Sequence, residues 1–395
     1  MMTTPRLDIL IYAHDGRGLG HASRSVAIGM ALRRLYPDLK VLFISGSSFT
    51  AELIGPVPLD WLKLPGYATR IIAGKSRGIN GSSNFSDREL GELRAGAIKQ
   101  VVDLYRPGVV LCDHSPRGKH RELLPALEAA KDTQWILGVR GVVGGVPQVF
   151  SGDAAKTFKN FFHSILWYGD ETVLGHYALD ELTDCFGCLP RICGYVSRLR
   201  ELSHWLENTS LKIRQTREYA GTISIPWQGE QTLAVVKNLA TALGNIGPGY
   251  GTWKIFLGKA AGRQDKTADE WFQNLSHVSL ERPGRQYIHA LARSKTALIY
   301  GGYNSITDVL YMNLPAVVLL RDMQDVEQQQ HLQLLARHTG KQLRILTEEK
   351  ASATALEQLL RHQVAQPPQQ LRTVKLNGAE TAAHSLVHAL GITPA

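Results

Sequence analysis

The fold is decided by residues 7–35, which read LDILIYAHDGRGLGHASRSVAIGMALRRL. Leu7–Ala13 is a near-continuous apolar run, and such runs are typical of strands buried on both faces of a parallel sheet. His21–Leu35 follows as a predicted helix with apolar residues at helical spacing. The glycines between the two allow a tight turn from strand to helix. The stretch therefore predicts the first strand and helix of a Rossmann-like domain.

The same alternation continues to residue 168 and begins again near residue 222. In the first series the further predicted strands are Val41–Ser45, Trp61–Leu64, Val109–Cys112, Trp135–Val139 and Ile165–Tyr168. In the second series they are Thr222–Pro226, Trp253–Leu257, Thr296–Tyr300, Ala316–Leu320 and Leu343–Leu346. The predicted helices of the second series are Gln231–Leu243, Ser305–Met312, Val326–His338, Thr354–His362 and Glu380–Leu390. Strands that alternate with helices in this way predict parallel sheets covered on both faces.

Two such series predict an α/β protein of two Rossmann-like domains, whose parallel sheets face each other across a cleft that binds the ligands. Residues 194–218 contain few strand signals, so we place the domain boundary near residue 205. The prediction is an N-terminal domain of residues 1–205 and a C-terminal domain of residues 206–395, which the final helix closes. Tyr67–Phe85 interrupts the first series with many Gly, Ser and Asn residues, and we expect it to form a mobile loop over a ligand site.

Composition restricts the function classes. The chain has 395 residues, four cysteines, 44% hydrophobic residues and a formal net charge of +9. This length suits two domains, and the cysteines are too sparse for a disulfide scaffold. The charge indicates either solubility or attraction of anionic ligands, but basic and aromatic residues are not interleaved as nucleic-acid binding would require. We find no apolar stretch of transmembrane length and no signal-peptide core, so we expect a cytoplasmic protein without a transmembrane segment.

The turn after the first strand carries the first candidate site. Gly18 and Gly20 let a ligand approach the backbone closely, and the helix start behind them suits an anion or a polarised oxygen. His21 is the candidate general base, because an unperturbed imidazole titrates near neutral pH, and Arg24 follows one helical turn later. The alternative is that His21 and Arg24 only cap and solvate the helix start. The dinucleotide motif is incomplete here, because its third glycine is missing.

Two further strands of the first series end in polar residues. Asp113 and His114 follow one strand, and Arg140 follows the next. Because strands of a parallel sheet end at the same edge, we expect all three side chains near His21. An Asp–His pair at a strand end is a candidate acid/base element, with Asp113 as an alternative base. The alternative is that these residues only satisfy backbone groups of the loops.

The second series contains a similar turn, Tyr300–Asp308. Two glycines, an amide and a hydroxyl side chain form the turn, and we expect these side chains to cap the next helix, whose amides can receive a diphosphate. The carboxylate of Asp308 can bind a ribose diol, or it can simply be a solvated acid of the first turn. Arg321 and Gln328 follow the next strand and are expected to face the same site, unless they belong to an ordinary polar loop. The candidate residues here are Gly301, Gly302, Tyr303, Asn304, Ser305, Asp308, Arg321, Gln328 and Gln329.

Three cysteines lie close together in the sequence. Cys185 and Cys188 form a CxxC motif, and Cys193 follows. Such thiols can bind zinc or a cluster, but a second CxxC is missing. Reduced, partly buried thiols are the favoured interpretation, and no metal site is predicted.

The combination of these motifs resembles a known family. The turn of residues 18–24, Gly-Leu-Gly-His-x-x-Arg, resembles the N-terminal motif of GT-B glycosyltransferases related to MurG. Gly301–Ser305 with Leu314-Pro315-Ala316 is similar to the donor-binding segment of those enzymes. Leu166–Asp170 and Gly194–Val196 resemble segments of a bacterial group of predicted glycosyltransferases in this superfamily. The resemblance extends over nearly the whole chain and is strongest in residues 295–330.

The resemblance implies a function. The C-terminal domain would bind a nucleotide-sugar, with Asp308 at the place of the family's ribose-binding Glu and Gln328 and Gln329 near the sugar. The N-terminal domain would bind the acceptor, which the net charge suggests is anionic, with His21 near the reacting carbon. Such enzymes commonly need neither metal nor cofactor, because amides at a helix terminus hold the leaving diphosphate. We expect inverting transfer by single displacement.

One segment departs from the family pattern. The loop after the first C-terminal strand is usually glycine-rich, but residues 223–230 read ISIPWQGE, with Gly229 as their single glycine. Close approach of a phosphate at this loop is therefore in question. The altered loop suggests an inactive homologue that only binds nucleotide-sugars as one alternative. A second alternative is a nucleotide-sugar hydrolase on the same fold, because the turn of residues 18–24 also resembles that of some enzymes that use water as acceptor.

Overall fold

The computed structural model describes residues 6–14, 19–72, 75–79, 84–142, 147–226, 230–258, 266–282, 284–321, 327–368 and 374–392. The chain divides into two compact units. The first comprises Met1–Trp205 and Val374–Ala395, and the second comprises Leu206–Thr373. Each unit is built around its own parallel sheet.

The first unit contains nine strands and ten helices among its described residues. Its strands are β1 (Ile9–Tyr12), β2 (Val41–Ser45), β3 (Asp60–Lys63), β4 (Ala68–Ile72), β5 (Lys75–Ile79), β6 (Val109–Asp113), β7 (Gln134–Arg140), β8 (Phe162–Tyr168) and β9 (Arg191–Ile192). Its helices are α1 (Gly20–Leu35), α2 (Thr50–Ile54), α3 (Asp87–Tyr105), α4 (Leu124–Ala129), α5 (Pro147–Phe150), α6 (Gly152–Phe161), α7 (Glu171–Leu174), α8 (Tyr177–Phe186), α9 (Arg198–Leu206) and, from the chain's end, α16 (Gly378–Ala389). A 3₁₀ turn covers Lys119–Arg121. Seven strands form one parallel sheet in the order β3-β2-β1-β6-β7-β8-β9.

The second unit repeats this architecture. Its strands are β10 (Tyr219–Ile225), β11 (Trp253–Leu257), β12 (Val278–Glu281), β13 (Ser294–Tyr300), β14 (Ala316–Leu320) and β15 (Leu343–Thr347). Its helices are α10 (Glu230–Ile246), α11 (Lys266–Glu270), α12 (Gln286–Ala292), α13 (Tyr303–Tyr311), α14 (Glu327–Thr339) and α15 (Ala353–Val364). Two 3₁₀ turns cover Pro248–Tyr250 and Glu348–Lys350. The strands form a parallel sheet in the order β12-β11-β10-β13-β14-β15, so the prediction of two α/β domains with parallel sheets is confirmed.

The segment that decided the fold lies at the centre of the first unit. All four residues of β1 are fully buried, and β1 pairs with β2 on one side and with β6 on the other. Helix α1 is buried without interruption from Ala22 to Leu32. Strands β1, β6 and β7 are neighbours in register, with Tyr12 opposite Cys112 and Cys112 opposite Leu137. The residues that follow these three strands therefore lie at one edge of the sheet.

The end of the chain differs from the sequence prediction. We assigned residues 206–395 to one domain, but the segment 374–392 packs on the first unit, where α16 lies against α1. The Tyr195 amide donates to the Lys375 carbonyl at 2.8 Å, and the Gly378 amide donates to the Tyr195 carbonyl at 2.9 Å. A Cβ atom at Gly378 would lie 2.4 Å from the Gly194 carbonyl oxygen, so this close approach requires glycine. These long-range contacts have no local signal in the sequence.

Two other segments also contain more regular structure than predicted. The expected loop Tyr67–Phe85 contains the antiparallel hairpin β4–β5, in which Ala68 is opposite Ile79. The predicted connection of residues 194–218 contains α9, whose Trp205 indole donates to the Met30 carbonyl of α1 at 3.2 Å. Within the part of the chain that the structure describes, every helix is too short or too polar to cross a membrane. The cytoplasmic location remains a prediction.

Candidate functional site

His21 and Asp113 are paired at the carboxyl edge of the first sheet. His21 is the second residue of α1, and Asp113 is the last residue of β6, the strand next to β1. The Nδ1 atom of His21 contacts Oδ2 of Asp113. An ionised carboxylate only accepts hydrogen bonds, so the Nδ1 atom must carry the proton. The pairing therefore leaves Nε2 of His21 as the basic nitrogen of the ring.

Arg24 holds the other side of the same carboxylate. Its Nη2 atom lies 3.2 Å from Oδ1 of Asp113, and the side chains of both residues are 2% exposed. Residues three apart on a helix share a face, which is why His21 and Arg24 reach the same carboxylate. Asp113 is thus fixed by a ring N–H group and by a guanidinium.

Two more imidazoles surround this pair. His14 follows β1, and His114 follows Asp113. The ring centroids of His14, His21 and His114 lie 5.0–5.2 Å apart in all three pairs. The backbone of His114 has φ +74°, a left-handed conformation that is uncommon for a residue other than glycine, and its N–H donates to the Gly138 carbonyl at 2.7 Å.

The three imidazoles favour the neutral state. Burial lowers the pKa of each ring well below its usual value of 6.5. The charges of Arg24, Arg140 and Lys119 lower the pKa of His21 further. His21 is therefore neutral at neutral pH, which is the state that a general base requires.

The remaining substrate-binding residues predicted in the first unit are Gly18, Gly20 and Arg140. Gly20 begins α1, and Arg140 ends β7, where it is half-buried and acts on His21 and His114 by its charge. Gly18 lies outside the described residues. The fold thus brings His21, Arg24, Asp113, His114 and Arg140 to one edge of one sheet.

A buried ion pair behind this edge was missed by sequence reasoning. The Arg94 guanidinium of α3 donates to the Glu122 carboxylate at 2.6 and 2.8 Å, and both side chains are fully buried. The hydroxyls of Tyr12 and Tyr67 donate to the same carboxylate at 2.5 and 3.0 Å. Tyr12 ends β1, so this network ties β1 to α3 and to the segment after β6. The residues of this network are distant in the sequence, and no local sequence pattern predicts that they pair.

In the second unit the predicted turn joins β13 to α13, but not with the predicted cap. The helix begins at Tyr303 with Gly302 as its N-cap, and no side chain caps it. Asn304 and Ser305 lie inside the first turn, so the expectation that their side chains cap the helix is wrong. Asp308 lies further along α13, half-buried, beyond the first turn.

The two glycines of this turn have different surroundings. A Cβ atom at Gly301 would lie 2.8 Å from Leu332 and 3.1 Å from Leu320, whereas a Cβ atom at Gly302 would meet nothing within 4 Å. Gly301 is thus required by packing. Gly302 borders open space at the helix start, where backbone amides can receive an anion.

Arg321 belongs to a polar cluster at the same edge. It follows β14, and its side chain lies 4.5 Å above the ring of Tyr300, the last residue of β13. The Glu348 carboxylate accepts from the Tyr300 hydroxyl at 2.6 Å and lies 3.5 Å from Nε of Arg321. Burial raises the pKa of Tyr300 and lowers that of Arg321, whose guanidinium stays charged at neutral pH. Thr232 near the start of α10 donates to the same carboxylate at 3.1 Å.

The last predicted donor residues lie at the neighbouring helix start. Gln328 and Gln329 are exposed in the first turn of α14. The Tyr303 ring is stacked on His331 of α14 with a centroid distance of 6.3 Å. The altered loop of residues 223–230 is described only up to Pro226 and again from Glu230, so its central residues lie outside the described part.

The cysteines are free thiols. Cys112 and Cys193 are buried, and burial raises the pKa of Cys193 to about 12. Cys185 and Cys188 are half-buried, and their pKa values are raised as well. Thiols of raised pKa are poor nucleophiles. In the described ranges, no group of three or more His, Cys, Asp or Glu side chains is arranged to hold a metal ion.

Solved structures share this architecture over nearly the whole chain. MurG from Acinetobacter baumannii is 12% identical with a TM-score of 0.51, over 98% of this chain and 99% of that one. UGT71G1 from Medicago truncatula, solved with UDP-glucose, is 12% identical with a TM-score of 0.60, over 97% and 98%. UDP-GlcNAc 2-epimerase from Methanocaldococcus jannaschii is 13% identical with a TM-score of 0.61, over 98% and 99%.

The similarity to these structures establishes the fold. The chain has the two-domain GT-B fold that MurG and other glycosyltransferases have. No protein-family model matches the chain. A search of curated proteins likewise found no match.

Proposed function

We propose that this protein is a glycosyltransferase that moves a sugar from a nucleotide-sugar to an acceptor hydroxyl, with His21 as the general base. The observation that carries the proposal is the His21–Asp113 pair at the carboxyl edge of the first sheet. Ligands of open α/β sheets bind at this edge. A neutral imidazole whose Nδ1–H is held by a buried carboxylate is the arrangement expected of a base that acts through Nε2.

The proposed reaction is a single displacement. Nε2 of His21 takes the proton of the acceptor hydroxyl while the acceptor oxygen forms a bond to the anomeric carbon. The bond between that carbon and the diphosphate oxygen breaks, and the nucleoside diphosphate leaves with the electron pair. Attack from the opposite face inverts the anomeric configuration. Asp113 and Arg24 keep the ring in place, and the Asp113 carboxylate stabilises the imidazolium that forms.

The second unit would bind the donor. The open space at Gly302 and the start of α13, which no side chain caps, support a diphosphate site, because the helix dipole and the amides of a helix start stabilise negative charge. Arg321, held against Tyr300 and Glu348, would supply a second positive contribution. This arrangement compensates for the scarcity of glycine in the loop of residues 223–230. It also supports transfer without a metal, since amides and a guanidinium neutralise the leaving group.

Asp308 would bind the ribose, and Gln328 and Gln329 would lie near the sugar. UGT71G1 was solved with UDP-glucose, which supports a nucleotide-sugar as the ligand of this fold. The acceptor, held by the first unit, is treated in the next subsection.

The test begins with thermal unfolding of the full chain against a panel of nucleotide-sugars, because a ligand of the native state raises the unfolding midpoint. The stabilising donor is then incubated with candidate acceptors, and the products are separated. A glycosylated acceptor whose formation survives EDTA supports the proposal.

Three other outcomes overturn it. Free sugar without acceptor indicates a hydrolase, which the same His21–Asp113 pair could serve by activating water. A sugar epimer indicates the activity that the Methanocaldococcus structure is named for. Binding without turnover across the acceptor panel indicates an inactive nucleotide-sugar-binding protein.

A further inference from the structure

Positive side chains and buried imidazoles surround the His21–Asp113 pair. We propose that His14, His114, Lys119 and Arg140 form an anion-binding subsite, which holds a phosphate or carboxylate group of the acceptor beside His21. The part of this inference that concerns the acceptor rests on the proposed function, whereas anion binding itself can be tested without it.

The first argument is the state of two buried nitrogens. The Nδ1 atoms of His14 and His114 are buried, and neither has a hydrogen-bond partner among the described residues. The two residues are 9% and 6% exposed. Buried polar atoms nearly always have a partner, so two orphaned nitrogens in adjacent rings indicate a site that is completed by a ligand or by water. Neutral imidazoles can donate an N–H group to an anionic oxygen.

The second argument is the balance of charge around the rings. Arg24, Arg94, Lys119 and Arg140 act electrostatically on one or more of the three imidazoles, whereas Asp113 is the one carboxylate among the described groups that acts on them. Arg94 is neutralised by Glu122, and Arg24 contacts Asp113. Cations outnumber carboxylates among the groups that act on these rings, and such a cluster attracts an anion.

The third argument is the backbone of the segment that carries His114 and Lys119. Between His114 and Arg121, four residues have positive φ: His114 (+74°), Gly118 (+66°), His120 (+51°) and Arg121 (+66°). A residue other than glycine rarely adopts this conformation unless the surrounding structure enforces it.

The enforcing contacts are on either side of this segment. Glu122 is bound to Arg94 and Tyr12, and the His114 amide is bound to the Gly138 carbonyl. Lys119 is held with its Nζ atom 4.3 Å above the Tyr67 ring. Strain of this kind is concentrated at functional sites. Here the strained segment carries the His114 ring, which lies 5.0 Å from the His21 ring, and Lys119, whose charge acts on His21.

The experiment uses histidine-ring NMR signals of the full chain, assigned with His14→Gln and His114→Gln variants. Sodium phosphate and sodium acetate are titrated separately, with ionic strength kept constant by sodium chloride. We expect the His14 and His114 signals to shift and saturate with at least one of the two anions. The anion that binds more tightly identifies the class of acceptor group, phosphate ester or carboxylate.

Lys119→Gln and Arg140→Gln should each weaken this binding by about tenfold, because each removes a charge-assisted contact. Lys131→Gln is the matched control, since Lys131 is exposed and precedes β7, so it lies at the opposite edge of the sheet. Unfolding midpoints show that the variants are folded, and Lys119→Gln alone decides the matter if Arg140→Gln is unstable.

Unshifted ring signals with both anions overturn the subsite. Unchanged affinity in Lys119→Gln, with shifts present, overturns the assigned residues. A chain that binds the anion but transfers no sugar contradicts the transferase and not the subsite. A chain that transfers sugar without binding phosphate or acetate contradicts the subsite alone.

Discussion

The Nδ1 atom of His21 contacts the Asp113 carboxylate, although the two residues are 92 positions apart in the sequence. The topology of the sheet makes this contact, because β1 and β6 are adjacent and parallel and both end at the same edge. The contact fixes one tautomer of His21, so the basic Nε2 atom points away from the carboxylate. Each residue of the pair therefore has a distinct expected role, and substitutions can separate the two roles.

Removal of the imidazole should abolish most of the turnover. With the substrates identified, His21→Ala should lower kcat by about a hundredfold or more and leave donor binding in the second unit unchanged. His21→Asn retains a hydrogen-bonding side chain but no base, so it should be nearly as inactive. Steady-state kinetics check both variants, with His176→Ala, an exposed histidine at the start of α8, as the control. Full turnover in His21→Ala together with loss in Asp113→Ala would transfer the role of base to Asp113.

The lowered pKa values of the three buried histidines predict how stability depends on pH. The folded state disfavours their protonation, so between the folded pKa and 6.5 the unfolded chain binds more protons. The stability that these groups contribute is complete above pH 6.5 and is lost as the pH falls below that value. Urea unfolding through this range should show the midpoint falling, with a smaller fall in His14→Gln and in His114→Gln than in His176→Gln. A midpoint independent of pH would contradict neutral burial of the rings.

The catalytic rate should also fall at acidic pH. Because His21 acts in its neutral form and its pKa is below 6.5, kcat/KM should remain level from neutral pH to below 6.5 and then decline. The Arg140→Gln variant removes one of the cations that lower this pKa, so its acidic limb should lie at higher pH than that of the wild type. The comparison of the two pH profiles is the measurement. An acidic limb that does not move would mean that a different group controls it.

The sequence predicted the parts of this fold that depend on local pattern. The apolar run Leu7–Ala13 and the glycine turn behind it specified β1 and α1, and three strands were predicted with their observed bounds: Val41–Ser45, Trp253–Leu257 and Ala316–Leu320. The edge that carries His21 and Asp113 followed from the alternation of strands and helices. That these two side chains touch did not follow, because contact depends on strand order and register.

Packing between distant segments was not predictable in the same way. The helix α16 has an ordinary amphipathic pattern, and nothing in it indicates that it packs on α1 and not on the preceding domain. The pairing of Arg94 with Glu122 likewise joins residues with no common motif. The helix α3 is absent from the sequence prediction, although Ser86 and Glu89 form a capping box at its start, which is a local signal.

Removing one partner of the buried pair Arg94–Glu122 should destabilise the protein more than removing both partners. Arg94→Met leaves a fully buried carboxylate without its counter-ion, which should lower the free energy of unfolding by about 3–5 kcal/mol. The double variant Arg94→Met/Glu122→Leu removes both charges and should recover much of that loss. Denaturant unfolding checks both, with Arg88→Met on the exposed face of α3 as the control. An Arg94→Met variant as stable as Arg88→Met would contradict the burial of the pair.

Asp308→Ala should weaken the binding of the nucleotide-sugar. Hydrogen bonds to a charged group contribute about 1.5–3 kcal/mol, which is roughly tenfold or more in affinity. Asp308 is half-buried on α13, so thermal unfolding of the variant is measured alongside to show that it is folded. Calorimetric titration with the donor measures the effect, and Asp308→Asn distinguishes loss of charge from loss of hydrogen bonding. An unchanged dissociation constant in Asp308→Ala would exclude it from the ribose site.

The glycines 301 and 302 offer the sharpest test of the donor site, because neighbouring and identical substitutions should have opposite consequences. A methyl group at Gly301 would press on Leu332 and Leu320, so Gly301→Ala should lower the free energy of unfolding by about 1–3 kcal/mol. A methyl group at Gly302 meets no protein atom, and its backbone (φ −70°, ψ 143°) suits any residue, so Gly302→Ala should cost less than about 1 kcal/mol.

For donor affinity, in contrast to stability, Gly302→Ala should have the larger effect and Gly301→Ala the smaller one. The methyl group of Gly302→Ala would occupy the space through which a diphosphate approaches the α13 amides, so we expect affinity to fall by about tenfold or more. Gly301→Ala, measured where it is still folded, should bind the donor nearly as the wild type does. Unfolding and donor titration on both variants complete the comparison. If Gly302→Ala binds the donor normally, the diphosphate does not approach this helix start, and the donor site of the second unit must be sought elsewhere along its sheet edge.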